Sequence, residues 1–202
     1  MLFWLLFLPG VSLPATANEV LPFDTLDELS RIFLRDLPAI ALVWYLSRRS
    51  LASDPFIRPR RSDTLVAFGG FVVLALVSTG TGLAASFFSS GEAEAFIESP
   101  TNPVEWLIAI ASCIATGYLE ESYFRGYLIS KIEALGIAIP QTIAVAVTLF
   151  ALCHLYEGPW GTINAVFAGT VLSLTFIRYR SIHPIAWAHA AYNAFVYVSG
   201  TI

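Results

Sequence analysis

Apolar residues run through this chain in long blocks, not in alternation, and the blocks have the length of membrane-crossing helices. Residues 27–47 begin with an amphipathic stretch, DELSRIFLRDL, and turn apolar at PAIALVWYL. Residues 64–86 are apolar and rich in Gly and Ser. Residues 104–130 form the longest block, 139–155 and 161–177 are shorter, and 182–200 closes the pattern. A helix needs about 20 apolar residues to cross the hydrocarbon of a bilayer. The pattern therefore predicts an all-α, polytopic transmembrane helix bundle of about six spans. Ahead of it stands LFWLLFL (Leu2 to Leu8), followed by Pro9 and by Ala15-Thr16-Ala17, a small-x-small sequence like those cleaved from signal peptides. The basic residues that should precede a signal segment are missing, so residues 1–17 fit a short first helix equally well. Segment 87–103, FFSSGEAEAFIESPTNP, reads as a polar, acidic loop. No repeat and no low-complexity linker divides the chain.

Composition sharpens the membrane reading. Hydrophobic residues make up 56% of the 202 positions and charged residues only 13%; a soluble domain carries about 25% charged residues. No basic patch interleaved with aromatics points to nucleic acid. The two cysteines, Cys113 and Cys153, lie in apolar runs without a CxxC pair, which speaks against a disulfide framework or a thiolate metal site. Charge is also distributed by side. Arg48, Arg49, Arg58, Arg60, Arg61, Lys131, Arg178 and Arg180 fall at alternate span ends. Asp24, Asp27, Glu28, Glu92, Glu94, Glu98 and Glu157 fall at the other ends. The Lys/Arg bias assigns the first side to the cytoplasm.

With those loop charges set aside, the polar groups expected at membrane depth are Glu120, Glu121, Arg125, His154, His189 and Asn193. Each full charge at a helix centre costs about 2.5–3.5 kcal/mol or more, so these groups must pair, protonate or line a wet cavity. Glu121 and Arg125 are spaced i, i+4 and share a helix face. Glu120 is turned ~100° away and points elsewhere. Phe150 and His154 share a face, as do His189 and Asn193. The simplest arrangement is an internal Glu121–Arg125 brace, with Glu120, His154, His189 and Asn193 converging. The 139–155 block is short for ~30 Å of hydrocarbon, so its turn YEGPWG (156–161) sits partway into the bilayer, beside a cavity expected to face the cytoplasm. His183, next to Pro184, reads as interfacial; Cys113, Cys153, Tyr118, Tyr123 and Tyr192 read as packing.

EESYFR (Glu120 to Arg125), FALCH (Phe150 to His154) and HAAYN (His189 to Asn193) resemble the signature motifs of the CPBP intramembrane protease family, which includes type II CAAX prenyl endopeptidases and bacterial Abi-type proteins. The stretch VFAGTVLSLTFIRYRSIHPIAWAHAAYN (166–193) resembles that family's Gly-containing helix, short basic loop and final His helix. The resemblance implies a catalytic core at 104–202 and family-variable helices and loop at 18–103. It implies an endopeptidase acting on a membrane-associated protein or peptide. Glu120 and His154 would polarise the attacking water, and His189 and Asn193 would stabilise the oxyanion. Glu121, Arg125 and Phe150 would support the site. Metal is left open: none is assigned, and a zinc ion, if held, would take Glu120, His154 and His189, a His₂Glu set. A signal-like or short first helix fits a bacterial envelope protein, hence an expected place in the inner membrane, with the lipid bilayer and a peptide as partners. No feature shows a prenyl groove.

Two other functions fit parts of the pattern. A non-catalytic membrane binder or immunity protein on the same scaffold would keep its effect without Glu120 and His154. A proton-coupled transporter would also use intramembrane Glu and His, but it should show inverted repeats and paired broken helices, and none is found here.

Overall fold

The computed structural model of the protein describes residues 2–7, 20–50, 56, 58–88 and 96–199. The cleavage-like Ala15-Thr16-Ala17 and residues 89–95 of the acidic loop lie outside the described residues. A short helix α1 (Leu2–Phe7) comes first. Strand β1 (Val20–Leu21) pairs in parallel with β2 (Phe96–Ile97), Val20 opposite Phe96. Six longer helices follow: α2 (25–50), α3 (Arg61–Phe88), α4 (103–134), α5 (Ile139–Leu152), α6 (Gly158–Tyr179) and α7 (His183–Ser199). Apart from the two-residue strand pair, the described chain is helical, as the block pattern predicts.

Caps set several boundaries. The Asp24 carboxylate accepts from the backbone N–H groups of Leu26 and Asp27 at 2.8 and 2.9 Å and starts α2. The Asn102 side chain accepts from Val104 and Glu105 and starts α4, with Pro103 at the first helical position. Arg180 takes a left-handed conformation (φ 52°) and ends α6. Its guanidinium pairs with Glu133 of α4, Nη2 to Oε1 at 2.9 Å, and this hydrogen bond holds the Arg180 pKa above its ordinary value.

By length and composition, two helical segments can cross a membrane: Arg61–Phe88 and Leu155–Tyr179. The other expected spans are less regular. Helices α2 and α4 each pass through a π-helical segment, at Arg31–Asp36 and Ser122–Ile129, and α5 has only 14 residues. Helix α3 turns Leu65, Phe68, Leu76 and Phe87 outward, all exposed.

Small residues let the helices of the core approach closely. A Cβ at Gly117 would stand 3.0 Å from the Ala186 carbonyl oxygen and 3.2 Å from the Ala190 nitrogen, so α4 and α7 touch backbone to backbone there. A Cβ at Gly70 would stand 3.0 Å from that of Ala188, which brings α3 against α7. One apolar cluster gathers Phe3 and Phe7 of α1 with Val43, Leu119, Phe124 and Phe150. A second gathers Phe56, Ile129, Phe176, Ile182 and Ile185 toward the basic ends of the helices.

Candidate active site

The carboxylate of Glu121 is fully buried and joins α4 to α7. Its Oε1 accepts from Arg125 Nη1 at 3.0 Å and lies 2.9 Å from His189 Nδ1. A carboxylate only accepts, so Nδ1 carries the proton. Arg125, also fully buried, donates from Nη2 to the Gly169 carbonyl at 3.1 Å, and its guanidinium lies 4.4 Å from the centre of the Phe150 ring. A side chain at position 169 would press on Phe150 at 3.0 Å and on Arg125 at 3.4 Å, so only glycine leaves room for this contact. The brace expected from the i, i+4 spacing is therefore present. It does more than join two turns of α4, because it fixes the tautomer and the ring plane of His189.

Glu120 faces the same imidazole from the other side. Its Oε2 lies 3.8 Å from His189 Nε2, beyond a direct hydrogen bond, and that oxygen is buried without a hydrogen-bond partner. Two consecutive glutamates thus bracket one histidine. The sequence places Glu120 beside His189 and leaves Glu121 to Arg125 alone; in the structure the helix turns the two glutamates apart by ~100°, and the ring of His189 is wide enough to meet both.

His154 stands just past the end of α5. Its Nδ1 lies 2.8 Å from the Phe150 carbonyl oxygen, which can only accept, so the proton sits on Nδ1 and Nε2 holds a lone pair. Glu157 Oε1 lies 3.9 Å from that Nε2. Between them runs a 3-10 turn, Leu155–Glu157, closed by Gly158 at φ 84°, a conformation that glycine adopts freely. Glu120, His154, Glu157, His189 and Asn193 all line one cavity of about 160 Å³. All four expected catalytic side chains therefore share one space.

Several residues fall elsewhere than the sequence suggests. Glu157 was expected among the acidic surface charges and instead lines the cavity. The short α5 brings its turn to the cavity, as expected for YEGPWG, and the Glu157 side chain goes with it. Arg31, from the amphipathic start of α2, also lines the cavity; its Nη2 contacts Glu28 and Ser112. Asp36 is fully buried and accepts from Arg35 Nε at 2.7 Å. Cys113 and Tyr192 line the cavity in addition to packing. His183 is buried at the start of α7, with Nδ1 3.0 Å from the Tyr118 hydroxyl. Arg31, Glu157 and Tyr197 of the cavity lining stand near the acidic ends of their helices.

Among the described residues, no three of His, Cys, Asp and Glu come together as a ligand set.

Comparison with known proteins adds one match. No curated protein and no solved structure matches the chain. Residues 102–195 match the family model described as type II CAAX prenyl endopeptidase Rce1-like. The matched segment runs from the cap of α4 to just beyond Asn193 and holds all three motifs of the cavity. Over this segment, a little under half of the chain, the protein is thus similar to the Rce1-like type II CAAX prenyl endopeptidases.

Proposed function

We propose that the protein is an intramembrane endopeptidase that hydrolyses a peptide bond of a membrane-associated protein or peptide with a water activated by Glu120 and His154. The observation that carries this reading is the buried Oε2 of Glu120, which has no hydrogen-bond partner and belongs to a cavity that His154 also lines. Water needs a base to become a nucleophile. Glu120 takes a proton from water while His154 Nε2 accepts the second O–H, and the oxygen adds to the scissile carbonyl. The tetrahedral oxyanion needs fixed donors. His189 supplies Nε2–H in its imidazolium form, which carboxylates on both sides favour, and Asn193 supplies an amide N–H. Glu120 then returns its proton to the departing amine as the C–N bond breaks. In that state Glu120, Glu121, Arg125 and His189 sum to zero charge, which makes a buried cluster tolerable.

The six longer helices are proposed to cross a bacterial inner membrane with their Arg-rich ends in the cytoplasm. The test is a comparison of membrane-protein termini between cells carrying the active protein and cells carrying Glu120→Gln or His154→Ala. Loss of the base should lower cleavage by roughly 10²–10⁴-fold, so new termini should vanish in both variants. A biological effect that survives both substitutions, with no terminus lost, would replace the enzyme with a binding or immunity role.

A further inference from the structure

We infer that Glu157 makes the cavity selective for a basic side chain, so that the peptide taken carries a lysine or arginine beside the bond that is cut. The word peptide rests on the endopeptidase reading; the charge of the bound side chain rests on Glu157 and its surroundings.

The fold builds Glu157 into the cavity. Its side chain is only 10% exposed, although it stands in the turn between α5 and α6. A Cβ at Gly161 would collide with the Cβ of Glu157 and stand 3.0 Å from its Oε2. Helix α6 therefore opens with a gap that the Glu157 side chain occupies. The Tyr156 hydroxyl donates to the carboxylate. The Thr162 hydroxyl ties the turn down, with the carbonyl oxygens of His154 and Gly158 at 3.2 and 2.8 Å.

The other charges about the cavity are already matched. Arg31 contacts Glu28, Arg125 pairs with Glu121, and His189 lies between Glu121 and Glu120. Among the described residues, the ion-pair partner of Glu157 is His154, whose Nε2 stands 3.9 Å away. With the Nδ1 proton directed at the Phe150 carbonyl, that imidazole is neutral and Nε2 is an acceptor. Two acceptors then face each other across 3.9 Å, and what suits such a gap is a donor. Glu120 and Tyr192 also lie in this field, and neither is a cation. A carboxylate drawn out of water with no countercharge favours a cation that enters beside it.

The rest of the lining suits a long aliphatic stem with a charged tip. Leu74, Ala165 and Leu172 offer apolar wall, and Tyr156 and Tyr192 offer aromatic rings near the acid. Gly161 and Ala165 follow Glu157 at i+4 and i+8 on one face of α6, and their small size leaves room for the stem. An acidic side chain would meet repulsion from Glu120 and Glu157 alike. Both acids line one cavity of about 160 Å³, which keeps the basic side chain beside the scissile bond.

The experiment gives full-length protein in detergent a library of apolar peptides of one length. A single lysine, norleucine or glutamate occupies each position in turn, and new termini are read by mass spectrometry. Lysine peptides should be cut roughly ten- to hundredfold faster than norleucine peptides, the size of one charge-assisted hydrogen bond. The lysine should stand at a fixed place relative to the cut. Glu157→Gln should bring the lysine-to-norleucine ratio close to one, and Glu157→Lys should turn the preference toward glutamate. Loss of folding would slow all three series together and leave the ratio alone. Equal cutting of lysine and norleucine peptides by the native chain overturns the inference, as does a lysine preference that survives Glu157→Gln. Gly161→Ala keeps the carboxylate but pushes it aside; it should also lower the ratio, and it replaces the Gln variant should that fold poorly. Binding of the same peptides to the Glu120→Gln chain, read by fluorescence anisotropy, needs no turnover, and binding indifferent to charge overturns the inference. Lysine-selective binding that depends on Glu157, without cleavage by the native chain, refutes the peptidase reading alone. Cleavage indifferent to charge refutes the role of Glu157 alone.

Discussion

Glu121 holds the most demanding position among the individual residues. It neutralises a fully buried Arg125 and holds the Nδ1–H of His189 with the same oxygen. Removing one partner of a buried pair leaves an uncompensated charge and costs about 3–5 kcal/mol, whereas replacing both by neutral groups is often tolerated. Glu121→Gln should therefore lower thermal stability in detergent strongly. Glu121→Gln with Arg125→Met should regain most of that stability and yet leave cleavage impaired, because His189 has lost its orienting carboxylate. Equal recovery of stability and activity would reduce Glu121 to a structural brace. The i, i+4 spacing made the Glu121–Arg125 pair readable from sequence alone. The link to His189 was not readable, because it spans 68 positions and depends on how closely α4 and α7 approach. Glu157 was counted among the acidic end charges although its turn was expected beside the cavity; that its own side chain turns inward depends on tertiary packing.

Helices fix how far apart those residues stand. Gly117 sets the α4–α7 spacing, since any Cβ there would press on the Ala186 and Ala190 backbone. Gly117→Leu should cost about 1–3 kcal/mol through overpacking and should also lower kcat, because it moves Glu121 away from His189. Detergent melting curves read the first effect and peptide cleavage the second; unchanged cleavage would show that α4 can shift without disturbing the site. Helix bounds were legible in the sequence to within a few residues because the apolar blocks stop at polar loops. The π-helical passages were not legible. They follow from tertiary fit, and the one at Ser122–Ile129 begins directly after the two glutamates, where such bulges often mark functional sites.

At the scale of the molecule, the bundle sorts charge by end. The fold class and the sidedness of charge could be read from composition and block length. The lining of the cavity could not be read in full, because it depends on how the helices pack. The donor geometry also bears on chemistry: with no three ligand-type residues gathered among those described, cleavage by the purified protein should survive exhaustive chelation. Loss of activity that zinc alone restores would reverse this.

Phe150 has no proton to give and no charge to share, yet three of the polar partners lean on its ring. The Arg125 guanidinium lies 4.4 Å from its centre, the His154 ring 4.4 Å and the His189 ring 6.1 Å. A hydrocarbon keystone of this kind makes the chemistry fragile at a place where no titration or trapping reagent would look. Phe150→Leu keeps the bulk of an apolar side chain and should leave folding nearly intact while slowing turnover, read as a fall in kcat at nearly constant KM. Inactivating changes in this protein should therefore arise at an inert ring as readily as at the acids and bases it steadies.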